Sequence, residues 1–446
     1  MDRNDCLVFV TSVLMVVWFW QVWRLWQSHG WKIEAVKKLR QLRARTPHDC
    51  PYCRQQHASR CERVVREREL PRPWSELKSR RGRKKQVVTE GHACRNPECA
   101  YRGIRNQNLH ALIGYGSHGK CERIQDYYCQ ACGKKVTSRW ETPMYRLKTA
   151  TRRVAEVLTA LAEGLDLSAA VRVFGHGEGT MRCWLARASE HGERMHERHF
   201  RDLWLRHVQL DELVVQIRGK GRDLWLWVAL EAETKLMPVL QLGPRTQEVA
   251  HGVVHLLRAM LASGCVPAFT SDGLNHYFYS LTAHFGEWQE DEEGKVRWVV
   301  SPQLVYAQLK KIRVWRRLVG TEQRVLCGSR EMLRERLHVC GLRATIQTAF
   351  VERVNLTLRQ SVAGLARRTW STAVAPVELE AHLMWYQAYY HFSRPHESLR
   401  LTRTRTNAKG KEVVRYRNRT PAMAAGLTRR RFTVKELLLL PLPAAG

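Results

Sequence analysis

The sequence predicts a multidomain protein in which a small cysteine-paired module and an all-α segment precede an α/β domain. Three patterns predict it. Cys94, Cys99, Cys129 and Cys132 fall in two close pairs; apolar residues recur at helical spacing between 148 and 190; strand-like and helix-like runs alternate from 205 to 400. The chain has 446 residues and a formal net charge of +32. That length allows several domains, and that charge favours a polyanionic partner, because each neutralised phosphate releases counterions. Its 13 cysteines are an odd number in a large basic chain. This argues against a secreted disulfide framework and for thiolate–metal ligation in a reducing compartment, the cytoplasm. Cys183, Cys265, Cys327 and Cys340 stand apart in apolar sequence and read as packed thiols.

Residues 1–27 form the first segment. Cys6 to Trp23 is almost wholly apolar, and a basic stretch from Lys32 to Arg45 follows. Its length is close to the minimum for a bilayer helix, about 18 residues. Trp18, Trp20, Trp23 and Trp26 suit the interfacial belt. Mixed charge at the start and the lack of a small-residue cleavage site argue against a cleaved signal peptide. A membrane anchor, a helix packed on the protein and an upstream extension of the gene all stay open. Residues 28–90 have the composition of a basic linker. Within it, Cys50, Cys53, His57 and Cys61 are spaced like a compact zinc knuckle without the knuckle's glycines. Arg81-Gly82-Arg83 resembles an AT-hook core, whose arginines lie in a narrow minor groove; Lys84 stands where the hook has proline. The alternative for this run is an unstructured linker that touches phosphates only.

Residues 91–145 hold Cys94-x4-Cys99 and Cys129-x2-Cys132, the ligand pattern of a zinc ribbon. Each pair sits on a tight turn, so four thiolates converge tetrahedrally on one structural Zn²⁺. His92 and Cys121 are nearby spare ligands. Residues 146–192 read as a helix-turn-helix. Val154, Val157, Leu158 and Leu161 make one buried stripe, Ser168 can cap a second short helix, and Thr180 can cap a third with Met181, Trp184, Leu185 and Ala188 turned inward. Arg182 and Arg187 are then expected outside, where a recognition helix meets DNA. An ordinary three-helix bundle is the alternative.

In the α/β domain, residues 203–400, three strand-like runs (208–215, 224–230, 236–242), an amphipathic helix (246–262) and a fourth strand (267–273) follow one another. That order is the order of a ribonuclease-H-like fold. It places Asp211 mid-strand on the first strand and Asp272 at the end of the fourth, beside it. A later helix, 348–362, carries Glu352, Asn355 and Arg359 on one face and Val351, Val354, Leu358 and Val362 on another. Phosphodiester cleavage needs an activated nucleophile and a stabilised pentavalent phosphorus, and two Mg²⁺ ions (for which Mn²⁺ can substitute) supply both. Such hard cations take carboxylate oxygens. Asp211 and Asp272 are expected to hold them, Glu352 to complete one shell, and Asn355 and Arg359 to position the strand or neutralise phosphate. Glu212 is expected to point to the opposite sheet face, so that only one of the neighbouring acids reaches the metals. The remainder, 401–446, is a basic tail ending in a Leu/Pro-rich run.

The stretches around Asp211, around Ser271-Asp272-Gly273, and from Ala349 to Gln360 resemble bacterial insertion-sequence DDE transposases, most of all the group related to insertion sequence one. Tyr390 to His396 and Thr420 to Gly426 are also similar to C-terminal segments of such enzymes. The resemblance covers about residues 90 to 400. It implies a DDE integrase-type catalytic domain with Asp211, Asp272 and Glu352 as the triad. It also implies strand cleavage and transfer on double-stranded DNA, both terminal repeats and target, by a homo-oligomer on nucleoid DNA. The chain departs from compact members of the group in its apolar start, its first Cys/His cluster and an acid-rich insertion around Gln289 to Arg297. Two other functions compete: a catalytically inactive zinc/helix-turn-helix regulator, and a membrane-tethered nuclease.

Overall fold

The computed structural model describes residues 48–49, 56–57, 71–77, 87–217, 220–290, 292–315, 317–340, 346–366, 375–406 and 412–442. The chain divides into two units, Met1–Val65 and Arg66–Gly446. In the first, β1 (His48–Asp49) and β2 (Gln56–His57) pair antiparallel, with His48 opposite His57. The apolar stretch 6–23 lies outside the described residues, as do Cys50, Cys53 and Cys61 of the first cysteine group and Arg81 and Arg83 of the basic run. Among the described residues no helix is long and apolar enough to cross a membrane.

The second unit starts with a helical turn, α1 (Trp74–Leu77), and a three-stranded antiparallel sheet of β3 (Leu112–His118), β4 (Ile124–Cys129) and β5 (Lys135–Thr137). Its small apolar core is built around Tyr101, Leu112, Tyr127 and Val136 together with three of the paired cysteines, Cys94, Cys99 and Cys129. Three helices follow: α2 (Thr151–Ala162), α3 (Leu167–Phe174) and α4 (Glu178–His199). The expected stripe of Val154, Val157, Leu158 and Leu161 is buried. The caps differ from expectation. Asp166, not Ser168, accepts the Ala169 amide at 2.8 Å and starts α3, because its side chain stands at the position whose oxygen meets the amide three residues on. Gly177, not Thr180, precedes α4.

The remaining elements are mixed α and β. In order they are β6 (His207–Ile217), β7 (Lys220–Glu231), β8 (Val239–Gly243), α5 (Gln247–Met260), β9 (Ala268–Ser271), α6 (Asn275–His284), β10 (Gly286–Glu290), β11 (Val296–Val300), β12 (Val305–Val314), β13 (Arg317–Cys327), α7 (Arg330–Val339), α8 (Ala349–Ser361), α9 (Pro376–Phe392), β14 (Leu401–Thr406), β15 (Glu412–Arg417), α10 (Pro421–Ala424) and α11 (Val434–Leu439). Six strands form one sheet in the order β13-β12-β9-β6-β7-β8. β9 runs parallel to both neighbours, with Leu210 and Gln308 each opposite Ser271; the other pairs are antiparallel. The core between the sheet and helices α5 and α6 gathers Val208, Leu210, Trp227, Val253, Leu257, Phe269 and Tyr277. The acid-rich insertion is the β10–β11 hairpin.

Helix α9 is buried almost all round over its second half. Such a helix must place every polar group. Trp385 Nε1 donates to Leu158 O at 2.9 Å and His382 Nε2 to Leu161 O at 2.8 Å, satisfying carbonyls at the end of α2. On the sheet side Gln387 Nε2 donates to Met237 O at 2.7 Å, and the Met237 amide donates to His391 Nε2 at 3.0 Å. α4 runs past the expected boundary at 192 because it too packs on α9. A Cβ at Gly192 would sit 3.0 Å from Ala388 Cβ, so glycine permits the approach. The Leu-rich run near the C-terminus is α11, which buries Leu437 and Leu438; the His191 ring pairs with Leu437 O at 2.9 Å.

Gly164 joins α2 to this frame. Its φ is +97°, and a Cβ there would collide with the Gln360 carbonyl on α8. Gly164→Ala is expected to cost about 2 kcal/mol or more, adding a backbone clash to left-handed strain. Gly175, at φ +69° with open space around its Cβ position, should cost only about 1 kcal/mol as alanine. Urea unfolding of the two variants measures the difference.

Candidate metal centres

The four paired cysteines come together as their spacing predicts. Cys94 Sγ lies 3.5 Å from Cys132 Sγ and Cys99 Sγ lies 3.9 Å from Cys129 Sγ, and all four sulfurs fall within 4.8 Å of one another. These separations exclude disulfides, whose S–S length is about 2.05 Å. They match a thiolate tetrahedron: metal–sulfur bonds of about 2.3 Å give edges of about 3.8 Å. Cys129 ends β4, and the turn to Cys132 closes through Gly133, whose amide donates to Cys129 O at 2.8 Å from a left-handed φ of +70°. Burial pushes the Cys132 thiol up, but the Lys134 amide and the Asn96 side chain outweigh it and bring it to about 7. Neither His92 nor Cys121 joins the cluster. Of the lone cysteines, Cys265 and Cys340 are buried as expected and Cys327 is half-buried. Cys183 is exposed, because α4 buries its neighbour Trp184 on the other side.

The second cluster stands where β9 stops. β6 and β12 continue past Ser271 while β9 does not, which leaves a gap between them at the carboxyl ends of parallel strands. Openings of this kind in α/β sheets are where ligands bind. Asp211 follows Leu210 on β6 and Asp272 follows its parallel partner Ser271, so both acids border the gap. Carboxylate oxygens of Asp211, Glu212 and Asp272 lie within 4.8 Å of one another. Strand alternation does turn Asp211 and Glu212 to different faces. Asp211 Oδ2 accepts from Asn355 Nδ2 on α8 at 2.7 Å, whereas Glu212 accepts from Arg245 at 2.9 Å and from Tyr277 at 3.1 Å. The expectation that only one of the two reaches the site is nevertheless overturned: β7 flanks both residues, but on the β9 side no strand lies beside them, and carboxylate oxygens of both come within 4.8 Å of Asp272.

Burial, then repulsion from Glu212 and Asp272, raises Asp211 to about 7. Burial and Asp272 raise Glu212 to about 7 as well, against the opposing pull of Arg245 and Tyr277. Glu212 has a side chain only 2 % exposed and Arg245 beside it. Asn355 Oδ1 is buried and meets no protein donor among the described residues, so it adds a further oxygen beside Asp211. Crowded, mutually repelling carboxylates and a spare amide oxygen are the hard donor set that fits Mg²⁺ or Mn²⁺.

The other expected residues are placed differently. Glu352 is not drawn into the three-acid cluster. It accepts from Thr348 Oγ1 at 2.7 Å and pairs with Lys311 of β12, its side chain 45 % exposed. It is near enough to contribute to the Asp211 shift. Arg359 donates to Val214 O and Leu365 O, tying α8 to the sheet. Arg182 pairs with Glu178 and with Glu378 of α9. Arg187, expected to face outward, instead donates to Tyr145 O at 2.7 Å and Pro143 O at 3.3 Å, holding the segment that leads in from the cysteine module. Glu212, Arg245, Tyr277 and Lys311 were not singled out from sequence as parts of this site. No sequence signal marked Glu212, because the fourth strand-like run (267–273) is nearly as long as the first (208–215) and its early stop shows only in the structure.

The acids set a pH dependence. In the folded chain Asp211 and Glu212 keep protons up to about 7, whereas unfolded acids lose them near about 4. The folded state binds more protons between those values, so stability falls as pH rises through that window. Without divalent cation, the melting temperature is expected to drop by several degrees between pH 5 and pH 8. Mg²⁺ or Mn²⁺ should restore it at pH 8, and Asp211→Asn should raise it there and flatten the profile. Scanning calorimetry across pH checks this, and a profile that is flat for the parent chain rules it out.

Compared with models of known protein families and with curated proteins, the chain gives no match.

Proposed function

We propose that the chain is a DNA transposase of the kind its sequence resembles, cutting a DNA strand and joining a 3′ hydroxyl to target DNA with the help of Mg²⁺ or Mn²⁺. The observation that carries this reading is the convergence of Asp211 and Asp272 at the open end of two parallel strands. The strand order β8-β7-β6-β9-β12, with the first two pairs antiparallel and the rest parallel, supports a ribonuclease-H-like catalytic domain. In this reading Asp211 and Asp272 hold the cations, and Asn355 orients Asp211 through its amide. Glu212 is kept in place by Arg245 and Tyr277 and adds negative charge to the site. Lys311 neutralises Glu352, which would complete the metal's shell on exchanging that partner. When bound, the metal supplies an activated hydroxyl nucleophile and stabilises charge at phosphorus.

The four-cysteine module holds a structural Zn²⁺ in this reading, and helices α2 to α4 engage double-stranded DNA. Copies of the chain assemble on paired element ends, on nucleoid DNA in the cytoplasm. A second reading, a DNA-binding regulator without catalysis, is favoured by one observation: Glu352 is engaged by Lys311 outside the acid cluster. Calorimetric titration separates the two. A transposase binds Mg²⁺ in a manner that Asp211→Asn abolishes, and a regulator shows no such binding.

Strand transfer tests the main reading directly. Labelled DNA from the borders of the chain's own gene should be joined to target in Mg²⁺ by the parent and reduced to background by Asp211→Asn, Asp272→Asn and Glu352→Gln, with DNA affinity retained. Normal joining by Asp272→Asn defeats the assignment. For the cysteine module, Cys129→Ser is expected to remove one equivalent of zinc, read by elemental analysis, and to expose the small core to proteolysis. Unchanged zinc content rules the site out.

A further inference from the structure

Hairpin β12–β13 leaves the sheet. Only Val305 to Gln308 of β12 pair with β9; from Leu309 to Val314 its sole ladder partner among the described residues is β13. Six further residues at about 3.3 Å each carry this two-stranded ribbon about 20 Å outward. Its root lies at the acid cluster. Lys310 Cγ stands 3.6 Å from the Cβ position of Gly273, next to Asp272, and Lys311 pairs with Glu352. Its far end is a tight turn opened by Trp315, since Val314 and Arg317 are paired.

Nothing in folding favours that tryptophan. The residue is 94 % exposed, so it adds no core burial. Its φ is +49°, a left-handed conformation that hairpin turns normally assign to glycine or asparagine. Ile312, Val314 and Val319 are exposed beside it. Between 310 and 324 the sequence carries Lys310, Lys311, Arg313, Arg316, Arg317 and Arg324 against Glu322 alone. A segment with this charge repels a second copy of itself and attracts a polyanion. A two-stranded ribbon fits the major groove, and an exposed aromatic side chain at its tip can stack on a base or wedge between two.

We propose that the β12–β13 ribbon is a DNA-gripping arm rooted at the acid cluster, with Trp315 stacking on an unpaired or unstacked base near the strand to be cut. The proposal rests on the reading of the chain as a DNA-cutting enzyme and adds a contact separate from α2 to α4. Full-length chain is titrated by fluorescence anisotropy, without added Mg²⁺, against an intact duplex and against the same duplex with one unpaired 2-aminopurine. Trp315→Ala is expected to weaken binding to the interrupted duplex on the order of tenfold, with a smaller loss on the intact one, and Trp315→Phe to recover most of it. Arg317→Ala should lower the slope of log affinity against log salt by roughly one.

The same preparations, with Asp272→Asn as a parallel, are assayed for cleavage in Mg²⁺. Loss of affinity in Trp315→Ala but not in Asp272→Asn supports the arm whether or not cleavage is seen. Parent-like affinity in Trp315→Ala, with cleavage intact, overturns the arm and leaves the enzyme reading standing. Parent-like affinity with a smaller sedimentation coefficient also overturns it and marks the ribbon as an interface between copies. Failure of the parent to bind DNA overturns both.

Discussion

Parallel pairing of β6 with β9 is the constraint around which the acid site is arranged. Once Leu210 stands opposite Ser271, the next residue on each strand is an aspartate, and the short strand ends there. Two carboxylates are thereby brought to the mouth of a gap in a mostly apolar sheet, with a third from Glu212. The surrounding elements restrain this crowding. Asn355 holds one acid by a neutral donor, Arg245 and Tyr277 hold another, and Lys311 occupies Glu352. Each compensates part of the repulsion and leaves the centre itself to be neutralised from outside.

Features decided by short-range chemistry were legible in the sequence. Two cysteine pairs on tight turns could converge in few ways, and the four sulfurs lie within 4.8 Å of one another. The stripe of Val351, Val354, Leu358 and Val362 is buried as helical periodicity requires. Asp211 and Asp272 could be found because strand order and position along each strand suffice to bring them together. Features decided by where neighbouring elements stop were not legible. Glu212 reaches the gap because β9 is shorter than β6, a property of the pairing and not of residue 212. The direction of Arg187 depends on the carbonyls of Pro143 and Tyr145, more than forty positions away. Glu352 sits on the expected helix, but the partner that draws it aside comes from a hairpin for which the sequence offered no specific pattern.

Polar side chains buried in α9 serve a different purpose from those at the gap. Tryptophan, histidine and glutamine are inefficient core residues unless each donor finds an acceptor. Here the acceptors are backbone carbonyls at the end of α2 and in the turn between β7 and β8. Apolar packing alone would tolerate some sliding of one layer over another. Directional bonds to both sides remove that freedom, and Gly164 seated against Gln360 adds a steric stop.

A rigid strut between the helical segment and the sheet has a metrical consequence. Were the helices joined to the acid cluster by a slack tether, a sequence held by one could be cut at any of several neighbouring bonds by the other. With α9 fixing the distance, and if the helices hold DNA and the acid cluster cuts it as proposed, the offset between a recognised sequence and the scissile bond would be a constant of the protein, counted in base pairs. It would change only by whole-residue insertions in that helix and not by thermal play. The molecule would carry its own ruler.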